Sequence, residues 1–109
     1  MSFEIGNLLD NLPKELAEEL FTQVFSGGEF RAQRIVSKGH TAPETGWFDQ
    51  EEHEWVLVLQ GEAELSFDSG EVRRLSAGGF ASIPARTKHR VSWTTPDRET
   101  VWLAIHYRY

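Results

Sequence analysis

From Phe30 onward the chain alternates apolar and polar positions with a period of two. The seven runs FRAQRIVS, EWVLVLQ, EAELSFD, EVRRLS, FASIP, HRVSW and TVWLAIHY are short, rich in Val, Ile, Leu, Phe and Trp, and divided by Gly, Pro, Asp, Ser and Thr. That pattern predicts strands separated by turns. No helical stretch lies between them, and parallel pairing needs crossover helices, so the body is expected to be an antiparallel sandwich or barrel. The alternation also assigns faces. In GEAELSFD, Ala63, Leu65 and Phe67 point to the core while Glu62, Glu64 and Ser66 point to water. In HRVSW, strict alternation puts His89 on one face with Val91 and Trp93. Glu54 shares a face with Val56 and Val58, but Trp55, Leu57 and Leu59 are apolar as well, which predicts a strand buried on both sides.

Ahead of the strands the period changes. In NLPKELAEELFTQVF, Leu12, Leu16, Leu20 and Val24 fall four apart, with Lys14, Glu15, Glu18, Glu19 and Gln23 on the other side. This spacing predicts an amphipathic helix packed outside the barrel, capped by Asn11, with Pro13 in its first turn and a stop at Ser26 to Gly28. The expected organisation is a helical extension over 1–29 and a barrel over 30–109, one domain overall in a chain of 109 residues.

Composition narrows the function. Eleven basic and seventeen acidic residues give a net charge of −6, and no run of Lys or Arg concentrates positive potential. Nucleic acid and anionic membrane surfaces are therefore poor partners. There is no cysteine, hence no disulfide and no thiolate ligand or nucleophile. Met1 leads into SFEIGN without the basic and long apolar regions of a signal peptide, so a cytoplasmic location is expected.

Candidate chemistry gathers in WFDQEEHEWVLVLQG, where acids, a glutamine and a histidine crowd the mouth of an apolar strand. The stretch EWVLVLQG from Glu54 to Gly61, followed by SAGGFASIPARTKHRVSW from Ser76 to Trp93, resembles the two motifs of the cupin superfamily, small β-barrels of jelly-roll type. Glu54 and Gly61 match the Glu and Gly that end the first motif, and Gly78, Pro84 and His89 match the second in spacing. The His, one residue, His that normally precedes the Glu is replaced by Trp47 and Asp49 in one register, or by Phe48 and Gln50 in the other. Arg86 stands at the second motif's inner Gly and Trp93 at its Asn.

The resemblance implies a divalent metal inside the barrel, with Glu54 and His89 as ligands and Asp49 as an oxygen donor where a His is usual. A set of one imidazole and carboxylates suits Zn, Ni, Fe or Mn, bound weakly or not at all. Other readings stand beside it. His89 on an inner face serves equally as a core residue satisfied by one hydrogen bond, and Glu54 as a mouth carboxylate paired with Arg86 or Arg90. Ligand contacts are expected from Trp47, Arg86, Trp93 and His106, the last alternating with Ala104 and Trp102. His53 is expected on the surface. His40 lies in a turn-rich loop that either covers the barrel mouth or has no role.

Three functions follow: a barrel holding a divalent metal or a small organic ligand, a metal-free ligand-sensing or dimeric interaction module, or a metal-dependent oxygenase or isomerase. A homodimer is expected, because apolar strands leave sheet edges and tryptophans to cover.

Overall fold

In the computed structural model, which describes residues 3–108, the seven period-two runs all form strands, and an eighth precedes them. In chain order they are β1 (Leu20–Ser26), β2 (Phe30–Ser37), β3 (His53–Gln60), β4 (Glu62–Phe67), β5 (Val72–Ser76), β6 (Phe80–Ile83), β7 (His89–Thr94) and β8 (Thr100–Tyr107). Every pairing is antiparallel. A five-stranded sheet runs in the order β1-β2-β8-β3-β6 and faces a three-stranded sheet ordered β5-β4-β7.

The expected N-terminal helix does not form, and the described residues contain no helix. Its second half is β1, which closes the free edge of β2 with Phe21 opposite Ile35 and Gln23 opposite Gln33. Two physical terms explain the outcome. Phe21, Thr22, Val24 and Phe25 are strand formers, and a fifteen-residue helix would be marginal by itself while β2 would be left with an unpaired ladder. The stretch before β1 instead crosses the outside of β2, where the Arg34 guanidinium donates to the carbonyls of Leu8 and Asp10 at 3.2 and 2.8 Å.

The core lies between the sheets. Val56, Val58, Ala63, Leu65, Ile83, Trp102 and Ala104 form its buried cluster. β3 is less symmetric than its composition suggests: Glu54, Val56 and Val58 are buried, while Trp55, Leu57 and Leu59 on its outer face are half-buried. Trp55 stacks there on Phe80, which is 60 % exposed.

A bulge decides the face of one predicted residue. In the β4–β7 pairing Leu65 lies opposite Val91 but Glu64 lies opposite Trp93, so Ser92 is an extra residue. Past a bulge the inward set changes parity. Thr94, not Trp93, is therefore buried with His89, and the Trp93 ring sits outside under the Arg74 guanidinium at 4.0 Å.

Gly61 turns the chain between β3 and β4 with φ of 89°, and a Cβ there would come within 2.7 Å of the Thr100 Cα. Only glycine meets both demands.

Candidate functional site

Register places the polar residues at one end of an otherwise apolar interior. Across the large sheet Arg31, His106, Glu54 and Ile83 are successive neighbours on β2, β8, β3 and β6, so their side chains emerge on one face. His89, from the opposite sheet, points at that row. Its Nε2 lies 3.0 Å from Glu54 Oε1, and His106 Nε2 lies 3.5 Å from Glu54 Oε2. All three side chains are buried. The alternative partners of Glu54, Arg86 and Arg90, are not used: two imidazoles hold it instead.

The hydrogen bonds assign a proton. His89 Nδ1 is 2.8 Å from the Thr87 carbonyl, an acceptor only, so Nδ1 carries hydrogen. Nε2 then meets a carboxyl oxygen at 3.0 Å, a contact that requires a second proton between them. The dyad is an imidazolium with a carboxylate, or a neutral imidazole accepting from a carboxyl group. Burial pulls the His89 pKa down, but the bonds to Glu54 and to the Thr87 carbonyl, with the charge of Glu54, carry it above the ordinary histidine value. His106 goes the other way: burial, with the charges of Arg31 and His89, holds it below that value despite Glu54 and Glu52. Two imidazoles on one carboxylate thus divide into a charge-favouring and a neutral partner.

Between the sheets this row opens into a cavity of about 280 Å³, near the lower end of small-molecule sites, roughly 300–1,000 Å³. Its polar wall is Glu54, His89, His106, Gln50, Gln33 and Arg31. Ile35, Val56, Leu65, Ile83 and Val91 form the apolar wall, and Phe21, Phe48 and Trp102 contribute rings. Glu19, just ahead of β1, reaches the cavity and accepts from the Ser37 hydroxyl at 2.5 Å. Burial raises its pKa, against the lowering effects of Ser37 and His40.

The segment before β3 resolves the two registers of the first motif. Phe48 pairs through its backbone with His89, at 2.8 and 3.2 Å, and lines the cavity with Gln50. Gln50 Oε1 is buried without a hydrogen-bond partner among the described residues. Asp49 and Trp47 take the opposite parity and line no part of the cavity. Asp49 faces Arg86 at 3.5 Å, in a rim cluster where Glu51 joins Arg86 at 3.1 Å. Trp47 is 39 % exposed and has Arg90 5.9 Å from its ring.

Of the residues singled out from the sequence, Glu54, His89 and His106 meet in the cavity. Asp49, Trp47, Arg86 and Trp93 do not. His53 lies on the outer face, accepting from the Ala85 amide at 3.0 Å and contacting the Tyr107 ring. His40 braces loops, bonding the Lys38 amide through Nδ1 at 2.9 Å, and does not line the cavity. Gln50, Phe48, Arg31, Gln33 and Glu19 were not singled out. For the first two the signal was present, since the second register of the motif names them.

As arranged, the donors do not fit a metal. Glu54 Oε1 is taken up by His89 Nε2 at 3.0 Å, Phe48 brings a ring rather than a donor to the cavity, and no group of three or more His, Asp or Glu among the described residues could hold an ion.

The comparisons with known proteins agree with this architecture. The sequence profile of the cupin domain family matches residues 35–106. The chain is a cupin. A protein of Ralstonia eutropha JMP134, described as a "putative mannose-6-phosphate isomerase", is 32 % identical, with a TM-score of 0.92 over 97 % of this chain and 99 % of that one. An RmlC-like cupin of Desulfovibrio desulfuricans is 21 % identical, TM-score 0.73, over 96 % and 97 % of the two chains. A cupin 2 conserved barrel domain protein of Salinispora arenicola CNS-205 is 21 % identical, TM-score 0.72, over 99 % and 91 %. The last two likenesses speak for the fold alone. Among curated proteins there is no significant match. In this cupin no helix of the described residues is long and apolar enough to cross a membrane.

Proposed function

We propose that this cupin binds a small organic ligand between its sheets, with the ligand's polar head on Glu54, His89 and His106 and its body against the apolar wall. The observation that supports this most directly is the 3.0 Å His89–Glu54 contact, which holds an exchangeable proton at the end of a cavity of about 280 Å³. A buried pair of this kind costs desolvation energy that apolar residues of the same shape would avoid, so its presence points to use. Such a proton can be given to or taken from a ligand, as general acid–base chemistry requires. Sugar-phosphate isomerisation, the activity in the Ralstonia protein's description, is not part of the proposal. Arg31 is the one Arg or Lys lining the cavity among the described residues, and it is held by Glu52 at 2.9 Å. The test is a small-molecule thermal-shift screen of the wild type beside His89→Ala and Val56→Trp. Hits lost in both variants support the site, and hits unaffected by either would place binding elsewhere.

A divalent ion is the second reading. The Nδ1 bond to Thr87 aims the His89 Nε2 inward, as the outer partners of metal-binding histidines do. Binding would have to displace the shared proton and would be weak. Elemental analysis of the purified protein beside His89→Ala tests it. The proposal includes a cytoplasmic homodimer formed through the outer face of the larger sheet, where Trp55 and the exposed Phe80 stack. Light scattering that gives a monomer at high concentration would remove that part.

A further inference from the structure

The charges around the cavity are unequal in a way that selects a ligand. Two carboxylates line it, Glu54 at its polar end and Glu19 beside β1. Glu54 Oε2 has only the 3.5 Å approach of His106 Nε2, longer than a good hydrogen bond, and so has acceptor capacity left. Glu19 spends one oxygen on a neutral hydroxyl, Ser37, and forms no ion pair among the described residues. On the positive side, the Arg31 guanidinium is already bonded to Glu52 at 2.9 Å, and no Lys of the described residues lines the cavity. The rings of Phe21, Phe48 and Trp102 complete the wall. A carboxylate or phosphate head entering here would lose its water and find no unmatched cation, which is strongly unfavourable. An ammonium head would find carboxylate oxygens with acceptor capacity left and aromatic rings, the two groups that favour a desolvated cation.

We infer that the cavity takes a small amine, a protonated nitrogen head on an apolar body, and rejects anionic ligands of the same shape. The inference rests on the reading of the cavity as a ligand site. It deepens that reading by fixing the charge of the head, with the nitrogen at Glu54 or Glu19 and the body along Ile35, Val56 and Ile83.

The experiment is a calorimetric titration of the full chain with hexylamine, hexanol and hexanoate, which share one body and differ in head charge, and with mannose 6-phosphate. Hexylamine is expected to bind at least tenfold more tightly than hexanoate, with hexanol between them and mannose 6-phosphate not binding. Glu54→Gln and Glu19→Gln should each weaken hexylamine at least fivefold, and more than either weakens hexanol. If one variant fails to fold, the other decides. Equal binding of the three six-carbon probes would keep the cavity as a ligand site and overturn the charge selection. Tighter hexanol, hexanoate or mannose 6-phosphate would overturn it too. No binding by any probe would remove both the inference and the reading beneath it.

Discussion

Two carboxylates five residues apart, Asp49 and Glu54, meet opposite fates. Asp49 sits at the rim in an exposed cluster with Arg86 and Glu51, where water screens every pair. Glu54 is 9 % exposed, and two imidazoles replace its water. Five is an odd number, and on a strand-like path odd separations end on opposite faces. The same parity puts Phe48 and Gln50 inside with Glu54 and leaves Trp47 and Asp49 outside. Which residue carries chemistry here is decided less by residue type than by a step of one along the chain.

The comparison is broken most strongly by removing each carboxylate in turn. Glu54→Ala leaves His89 buried beside a lost partner and is expected to cost about 3 kcal/mol, in the range of broken buried pairs. Asp49→Ala removes one exposed contact and is expected to cost less than about 1 kcal/mol. Urea unfolding of the two variants measures both. Equal losses would mean that Glu54 is hydrated in solution.

Protonation gives the second contrast, this time within the buried cluster. The His89 pKa is raised on folding, so the stability it contributes is complete below the unfolded histidine value and is lost as pH rises through the folded one. For His106 the folded pKa is depressed, so its contribution is present above the unfolded value and is lost as pH falls through the folded one. Imidazole shifts followed by NMR should show His106 losing its proton before His89 as pH rises. In stability profiles His89→Gln should flatten the alkaline side and His106→Gln the acid side. A reversed order would mean that the shared proton belongs to the His106 side of Glu54.

Metal affinity sharpens the parity argument at smaller scale. Gln50→His would place an imidazole on the inward side with Glu54 and His89, where the cupin family often supplies one. An imidazole is a better donor than an amide for Zn and Ni. Calorimetric titration should show at least about a tenfold gain, on the order of 1.4 kcal/mol. Asp49→His adds the same ring at the rim and should leave affinity unchanged. A gain for Asp49→His without one for Gln50→His would reverse the register seen here.

These contrasts also mark what the sequence made legible. The seven barrel strands were readable because each run is short, rich in strand-forming residues and bounded by turn residues, and Glu54, His89 and His106 were readable because spacing carried them onto inner faces. Trp93 was not, because the Ser92 bulge inserts a residue that no pattern of apolar positions announces. Asp49 was misplaced because two registers of the first motif fit equally well and the charged one drew attention from Gln50. The helix failed for a third reason: its four-residue spacing was real, but local periodicity does not contain the open edge of β2, which lies across the sheet and accepts Phe21 and Phe25 as a strand. Propensity yields to a tertiary partner of this kind.

The smallest expected effect concerns the hub of the rim. Arg86 occupies the place of the family's inner glycine, and its φ is 64°, in the left-handed region that costs a side-chain-bearing residue roughly 1 kcal/mol. Its amide donates to the Gln50 carbonyl at 2.8 Å, so the turn also holds the segment that presents Gln50. Replacement by glycine alone would mix three terms: relief of the left-handed conformation, loss of the exposed pairs with Asp49 and Glu51, and greater freedom of the unfolded chain. Comparing Arg86→Gly with Arg86→Ala cancels the second, since both lose the guanidinium. Glycine should then be the more stable of the two by up to about 1 kcal/mol, the left-handed preference less the entropy of the unfolded chain. Both variants should retain the buried Glu54–His89 pair and its high imidazole pKa. Alanine equal to or better than glycine in thermal unfolding would mean that the turn at Arg86 is not left-handed in solution, and the rim would then owe its shape to the ion pairs alone.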